Sequence, residues 1–315
     1  MKITRSALLL VGASFLIYAT LRVTPGDVVD LILGNEGSPE DKLALRQEFG
    51  LDLNIVSGYI NWACKAITGD LGQSLKVSLG SDVIEVAAPA FMITLAVAGS
   101  SLVALIVMSY LLALSLGQPR PREALLLGPI KLLNAAPSFM IAVCLMKLVN
   151  ELVWWWYGGG GAPFSWYPMP RYVRLDDSLV PFIFAVLAIS FGDGLFTDLF
   201  NTLRAELLGL QRSLFISAVR AKGSSPTPHL IKNLIVPTLS VFTARLPLVL
   251  SAIVVVERIF TLDGSGFLLF EAAKARDLPV VVGVSLFFIL SVILMNLILD
   301  IVKALVDPRE VARGE

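Results

Sequence analysis

The sequence predicts an all-α integral membrane protein of six transmembrane helices, with a small helical cap on the outer face after the first of them. Three observations carry that prediction. Hydrophobic residues make up 56% and charged residues 16% of the 315 residues, and mean hydropathy is +0.78, far from soluble globular usage. Six apolar stretches meet or approach the about 20 residues needed to cross a bilayer core of about 30 Å. Lys and Arg, finally, gather beside alternate ends of those stretches.

Residues 1–21 supply the first helix, with Lys2 and Arg5 ahead of an apolar run at 7–21. Those flanks also suit a cleaved signal peptide, but no small-x-small cleavage site follows, so the run is read as a retained span. Residues 22–86 form the outer loop and cap. There Ser38-Pro39-Glu40-Asp41 reads as an N-cap with Pro at the first helical position and acids in the first turn, and Gly50 as the stop. Residues 87–315 hold the other five spans, at 87–116, 124–153, 179–203, 230–256 and 280–305. Pro137 in the third span and Pro247 in the fifth predict kinks, which commonly line a pathway and as commonly serve packing alone. Between the third and fourth spans Trp154, Trp155, Trp156 and Tyr157, four glycines, and then Trp166 and Tyr167 read as an interfacial aromatic belt around a flexible turn.

Charge sets the orientation. With the N-terminus in the cytoplasm, inside segments hold Lys2, Arg5, Arg120, Arg122, Arg204, Arg212, Arg220, Lys222, Lys232, Lys303, Arg309 and Arg313, whereas acids outnumber bases in the first outer loop. Both termini are then cytoplasmic. A formal net charge of +0 gives no global case for a nucleic-acid partner.

Residues 204–229 are the polar, basic interruption on the inner side. Phe215, Ile216, Ala218, Val219 and Ala221 mix with Ser217, Arg220 and Lys222, a pattern for a short surface helix ended by Gly223. Ala218, Ala221 and Gly223 are small enough to let another protein surface approach closely. A basic loop resting on anionic lipid is the alternative.

Catalytic and metal chemistry find little support. Only Cys64, Cys144 and the single His229 offer soft or borderline ligands, which is too few for a metal cluster. No G-x-x-x-x-G-K-[ST] run is present, so the chain is not expected to hydrolyse ATP. An intramembrane hydrolase built on Asp193 and Asp198 is disfavoured, because a five-residue offset turns the second carboxylate off the face of the first on a straight helix. A self-sufficient secondary transporter is the more serious alternative, although no internal repeat is seen. Arg245, near the middle of the fifth span, needs a partner at that depth, and Asp193 and Asp198 in the fourth span are the candidates within the chain.

Several motifs resemble one family. Residues 215–223, FISAVRAKG, resemble the cytoplasmic coupling motif of bacterial ABC importer permeases of the dipeptide, oligopeptide and nickel type. Residues 22–27, RVTPGD, resemble the family's sequence after the first span, and residues 45–53 with Gly69-Asp70-Leu71-Gly72-Gln73-Ser74-Leu75 its outer loop. Ala136-Pro137-Ser138-Phe139, Val256-Glu257-Arg258-Ile259-Phe260, Gly264-Ser265-Gly266, Ala275-Arg276-Asp277, Asn296-Leu297, Asp300 and Val306-Asp307-Pro308-Arg309 follow in order. Val219, Phe215 and Leu214 depart from the usual residues, and the spacing from Gly223 to Pro237 is shorter by about four residues, close to one helical turn.

The resemblance implies a type I importer permease fold in the bacterial inner membrane. It implies a second homologous permease, two ATPase subunits that carry ATP and Mg, and a periplasmic or lipid-anchored substrate-binding protein, with no cofactor on this chain. Coupling to the ATPase would fall to Phe215, Ser217, Ala218, Val219, Arg220, Ala221, Lys222 and Gly223. Candidates for the translocation pathway are Pro137, Phe139, Asp193, Asp198, Arg245 and Glu257, and Gln is the residue the resemblance leads one to expect where Arg245 stands.

Overall fold

The computed structural model describes residues 2–23, 40, 53–116, 123–156 and 179–306. The predicted cap helix beginning at Ser38 and the glycine turn after Trp156 lie outside these, apart from Glu40. The described residues are helical nearly throughout: α1 Lys2–Val23, α2 Ile55–Ile67, α3 Val83–Leu116, α4 Glu123–Asn134, α5 Ser138–Trp156, α6 Val180–Phe191, α7 Leu195–Gln211, α8 Leu214–Ala221, α9 Thr227–Phe260, α10 Ser265–Ala275 and α11 Leu278–Val306. Among them Val83–Ser115, Thr227–Phe260 and Leu278–Val306 are long and apolar enough to cross a bilayer unaided, and Leu10–Thr20 is a shorter apolar helix.

Two of the predicted spans are broken rather than continuous helices. The stretch at 124–153 is not one helix: Gly128–Asn134 and Ser138–Leu148 meet at a 109° bend. Pro137 is therefore not a kink within a continuous helix but lies at the break between two. It disfavours the α conformation at Ala136, and its carbonyl accepts from Met140 N at 3.0 Å and Ile141 N at 3.2 Å, so a new helix starts there. The stretch at 179–203 is likewise two helices, Val180–Phe191 and Leu195–Gln211, bent by 54° at Gly192-Asp193-Gly194. Asp193 and Gly194 both take the left-handed conformation, with φ of 55° and 78°. Pro247 does lie inside a continuous helix, and α9 also runs past Pro237 without a break.

The chain forms two compact units. One comprises Met1–Thr94 with Asp263–Ile293, the other Leu95–Leu262 with Leu294–Glu315. In the first, α2 starts at an N-cap where the Asn54 side chain accepts from Ser57 N at 2.8 Å. It packs on α1 through Tyr59, whose hydroxyl bonds Ser14 Oγ at 2.8 Å and whose ring meets Phe15 edge-on at 5.2 Å. Leu71, Val83, Ala87, Ala90, Leu268, Ala272, Val280, Val281 and Val284 form its core. In the second unit α9 packs against α5, α6 and α7. Phe196, Leu199, Phe200, Leu203, Leu234 and Ile253 are fully buried there. Ala142, Ala185 and Ala188, each 0% exposed, are the small residues that let membrane helices approach closely.

Candidate functional site: a capped surface helix and a mid-membrane ion pair

The amphipathic residues after Gln211 fold as the separate helix α8, packed on α7. Its N-cap is Ser213, whose hydroxyl accepts from Ile216 N at 3.4 Å. Its C-terminus closes with Gly223 N donating to Arg220 O at 2.9 Å and Ser224 N to Val219 O at 3.2 Å. That is the Schellman pattern, which needs a left-handed residue after the cap, and Gly223 has φ +72°. A left-handed Gly223 is what its position after the helix predicts.

Burial divides the candidate coupling residues by face. Ile216 and Val219 turn into the chain at 0% and 8% exposure. Phe215, Ser217, Ala218, Arg220, Ala221, Lys222 and Gly223 are exposed, as is Leu214 at 88%. Val219 thus belongs to the packing face rather than the outward one. The Phe215 ring lies edge-on to His229 with 5.5 Å between centroids, which ties the helix to the start of α9. The outward face combines small residues and two cations with two large apolar side chains, Leu214 and Phe215, at its N-terminal end, a surface suited to a shallow protein cleft.

The candidate pathway residues fall into separate places. Asp193 and Asp198 stand on either side of the helix start at Leu195, so no straight helix relates them. The Asp193 carboxylate accepts from Ser138 N at 3.3 Å, at the amide end of α5. Asp198, in the first turn of α7, pairs with Arg245 of α9. The predicted partner of Arg245 is thus present. Glu257 is fully buried near the end of α9, while Phe139 is 49% exposed and Pro137 is exposed.

One residue escapes sequence reasoning. Asn134, 0% exposed, donates through Nδ2 to Phe191 O at 2.8 Å and accepts at Oδ1 from Thr197 N at 3.1 Å. Gly194 N donates to its carbonyl at 2.8 Å and Asp193 N to Ala136 O at 3.1 Å. The two breaks therefore satisfy each other's backbone groups, the condition under which broken helices persist in a membrane. An amide side chain at the end of an apolar run and three residues before a proline was the available signal.

Residues 106–311, more than half of the chain, match the family described as binding-protein-dependent transport system inner membrane component. The chain belongs to this family. The permease is 29% identical over 311 residues to a protein of Brucella abortus (strain 2308) named as a candidate peptide transport system permease, covering 94% of this chain and 93% of that one. It is 25% identical over 314 residues to the oligopeptide transport system permease protein of Bacillus subtilis (strain 168), covering 96% and 95%. To the glutathione transport system permease protein of Escherichia coli O6:H1 it is 26% identical over 302 residues, covering 94% and 92%. The permease is thus a multi-pass inner-membrane component of an ABC importer, and the self-sufficient secondary transporter gives way to that assignment.

Proposed function

We propose that the permease forms half of a passage for peptides and couples it to ATP hydrolysis on separate subunits through α8. The outward face of α8 carries this reading: a capped helix, anchored by Ile216 and Val219, presents small and basic residues that are exposed among the described residues. On this reading two ATPase subunits bind ATP and Mg below, a second homologous permease completes the passage, and a periplasmic or lipid-anchored binding protein delivers cargo. The cargo class is taken from the names of the relatives. The chain crosses the membrane six times, the two bent pairs each counting as one span and α1 as another, with both termini in the cytoplasm.

Gly223 tests the coupling. No atom lies within 4 Å of a Cβ built there, so substitution meets only the left-handed backbone, worth about 1 kcal/mol, and whatever docks outside. Gly223→Ala should retain most uptake. Gly223→Leu, with the same backbone strain and more bulk, should insert normally but recover fewer ATPase subunits on purification and lose uptake by about tenfold, the effect of about 1.4 kcal/mol at an interface. Equal ATPase recovery and uptake in the two variants would remove α8 as the docking element.

Cys64 tests the orientation. Its thiol is free and exposed on α2, and so is that of Cys144 on α5. In a Cys144→Ser background, Cys64 should react with a membrane-impermeant maleimide added to intact spheroplasts. Labelling only after the inner membrane is opened would reverse the topology.

A further inference from the structure

We propose that Arg245 is a specificity-determining residue of the passage: held by Asp198 in the empty state, it is released to bind a carboxylate of the passing cargo. The inference rests on the permease reading above and adds to it the charge that the passage selects.

Position is the first argument. From Leu234 to Val256 the only charged residue is Arg245, eleven residues from each end. At 1.5 Å per residue, that places it about 16 Å from either end of the apolar run, at the bilayer centre. Burial is the second argument. The Arg245 and Asp198 side chains are 40% and 37% exposed within this chain. A guanidinium cannot shed its charge, and an open ion pair at mid-membrane depth is costly against lipid, so its exposed side faces water or polar protein.

The surroundings agree. Next to Arg245, the exposed face of α9 carries Ser240, Ala244, Pro247 and Ser251 at successive turns, with Leu248 and Val255 also open on it, and beyond Asp198 the exposed face of α7 carries Asn201, Ala205 and Glu206. Small and polar side chains leave room beside the pair. On the inner side, Arg245 borders a cavity of only ≈ 30 Å³ among Leu102, Phe242, Val249 and Met295. That holds about one water, so cargo can meet the guanidinium only from the open side.

Asp198 is suited to let go. It sits in the first turn of α7, where the helix amide end stabilises a carboxylate independently of Arg245. A planar guanidinium accepts a second carboxylate in fork geometry, and a cargo carboxylate therefore exchanges one charge-assisted pair for another without leaving a bare cation in the membrane. The exchange is near balance, which permits passage as well as selection.

Two measurements on the reconstituted importer, with its ATPases, partner permease and binding protein, decide the matter. In a Cys64→Ser, Cys144→Ser background, Ala244→Cys should react with methanethiosulfonate-ethylammonium from the water phase. No reaction would place this face against lipid or a dry interface and overturn the inference. Uptake of trialanine and of its C-terminal amide is then compared, each normalised to assembled complex. Arg245→Gln should lower trialanine uptake relative to the amide by about tenfold or more, the worth of one charge-assisted hydrogen bond, and Arg245→Lys should restore part of the preference. An unchanged ratio in Arg245→Gln overturns the role of Arg245. So does a loss of assembly that Asp198→Asn repairs with the ratio intact, since the pair would then only hold helices together. A parent complex that imports neither peptide overturns the peptide reading itself, a result distinct from an unchanged ratio.

Discussion

Gly192→Ala should prevent the permease from accumulating as a folded membrane protein. A Cβ at this position would lie 2.4 Å from Ser138 Cα, 2.6 Å from Ser138 Cβ and 2.8 Å from Ala188 O. Two of those three atoms cannot rotate away, because they belong to the backbones of the two broken helix pairs. Moving the breaks apart would stretch Asp193 N to Ala136 O, Gly194 N to Asn134 O and both bonds of the Asn134 side chain. Overpacking alone costs about 1–3 kcal/mol, and each buried backbone group left without a partner adds about 1–3 more. The sum is comparable with the about 5–15 kcal/mol that holds a typical domain folded. Gly192 has φ −87° and ψ 168°, ordinary extended values, so the penalty is contact and not backbone strain. Gly99→Ala is the control, since a Cβ there meets nothing within 4 Å inside a continuous helix. The measurement is the amount of inserted protein and its melting temperature in detergent. Should Gly192→Ala match Gly99→Ala in both, the packed contact between the breaks is not what holds them.

These breaks also show where the sequence stops being legible. Hydropathy locates apolar residues at 124–153 and 179–203 correctly, but it averages over windows longer than a three-residue interruption. Of the residues at the two breaks, Pro137 reads in the sequence as a kink and Asp193 as a candidate acid, while Asn134, Gly192 and Gly194 draw no reading. What turns each into a bend is a set of hydrogen bonds between residues about sixty positions apart, which no local pattern encodes. The partner of Arg245 was legible for a simple reason: a permanent cation in the middle of an apolar span must find an acid, and few were on offer. Gly223 was legible because a helix end is a local event. The face assignment of Val219 was not, because the eight-residue helix α8 is too short for periodicity to fix its orientation without the α7 surface beneath it.

Asp277 is the most consequential long-range contact, and its replacement should loosen the segment after α2 without a change in the helices. The side chain is 0% exposed, and a single oxygen, Oδ2, accepts from Ser74 Oγ at 2.6 Å, Leu75 N at 3.1 Å, Lys76 N at 2.9 Å and Val77 N at 3.0 Å. Its other oxygen is buried without a hydrogen-bond partner among the described residues. Three consecutive amides thus converge on one acceptor about two hundred residues away in the chain. The acceptor itself is held: Asp277 N donates to Ala272 O at 2.8 Å and Val281 N to Asp277 O at 3.0 Å, so the residue ends α10 and begins α11. Asp277→Ala strands three amides, that of Leu75 buried and those of Lys76 and Val77 part-buried, at about 1–3 kcal/mol for each donor that water cannot reach. Asp277→Asn keeps one acceptor oxygen and should cost only the difference between a charged and a neutral acceptor, about 1–2 kcal/mol. Ser74→Ala removes one bond to Asp277 and also the acceptor for Ser78 N, so it should fall near the Asn variant. The ranking is best read by hydrogen exchange at Leu75, Lys76 and Val77. Exchange there should rise most in Asp277→Ala, less in Asp277→Asn and Ser74→Ala, with α9 amides protected as in the parent. If all three variants exchange at the parental rate, the amides are satisfied by other means and the carboxylate is not their anchor.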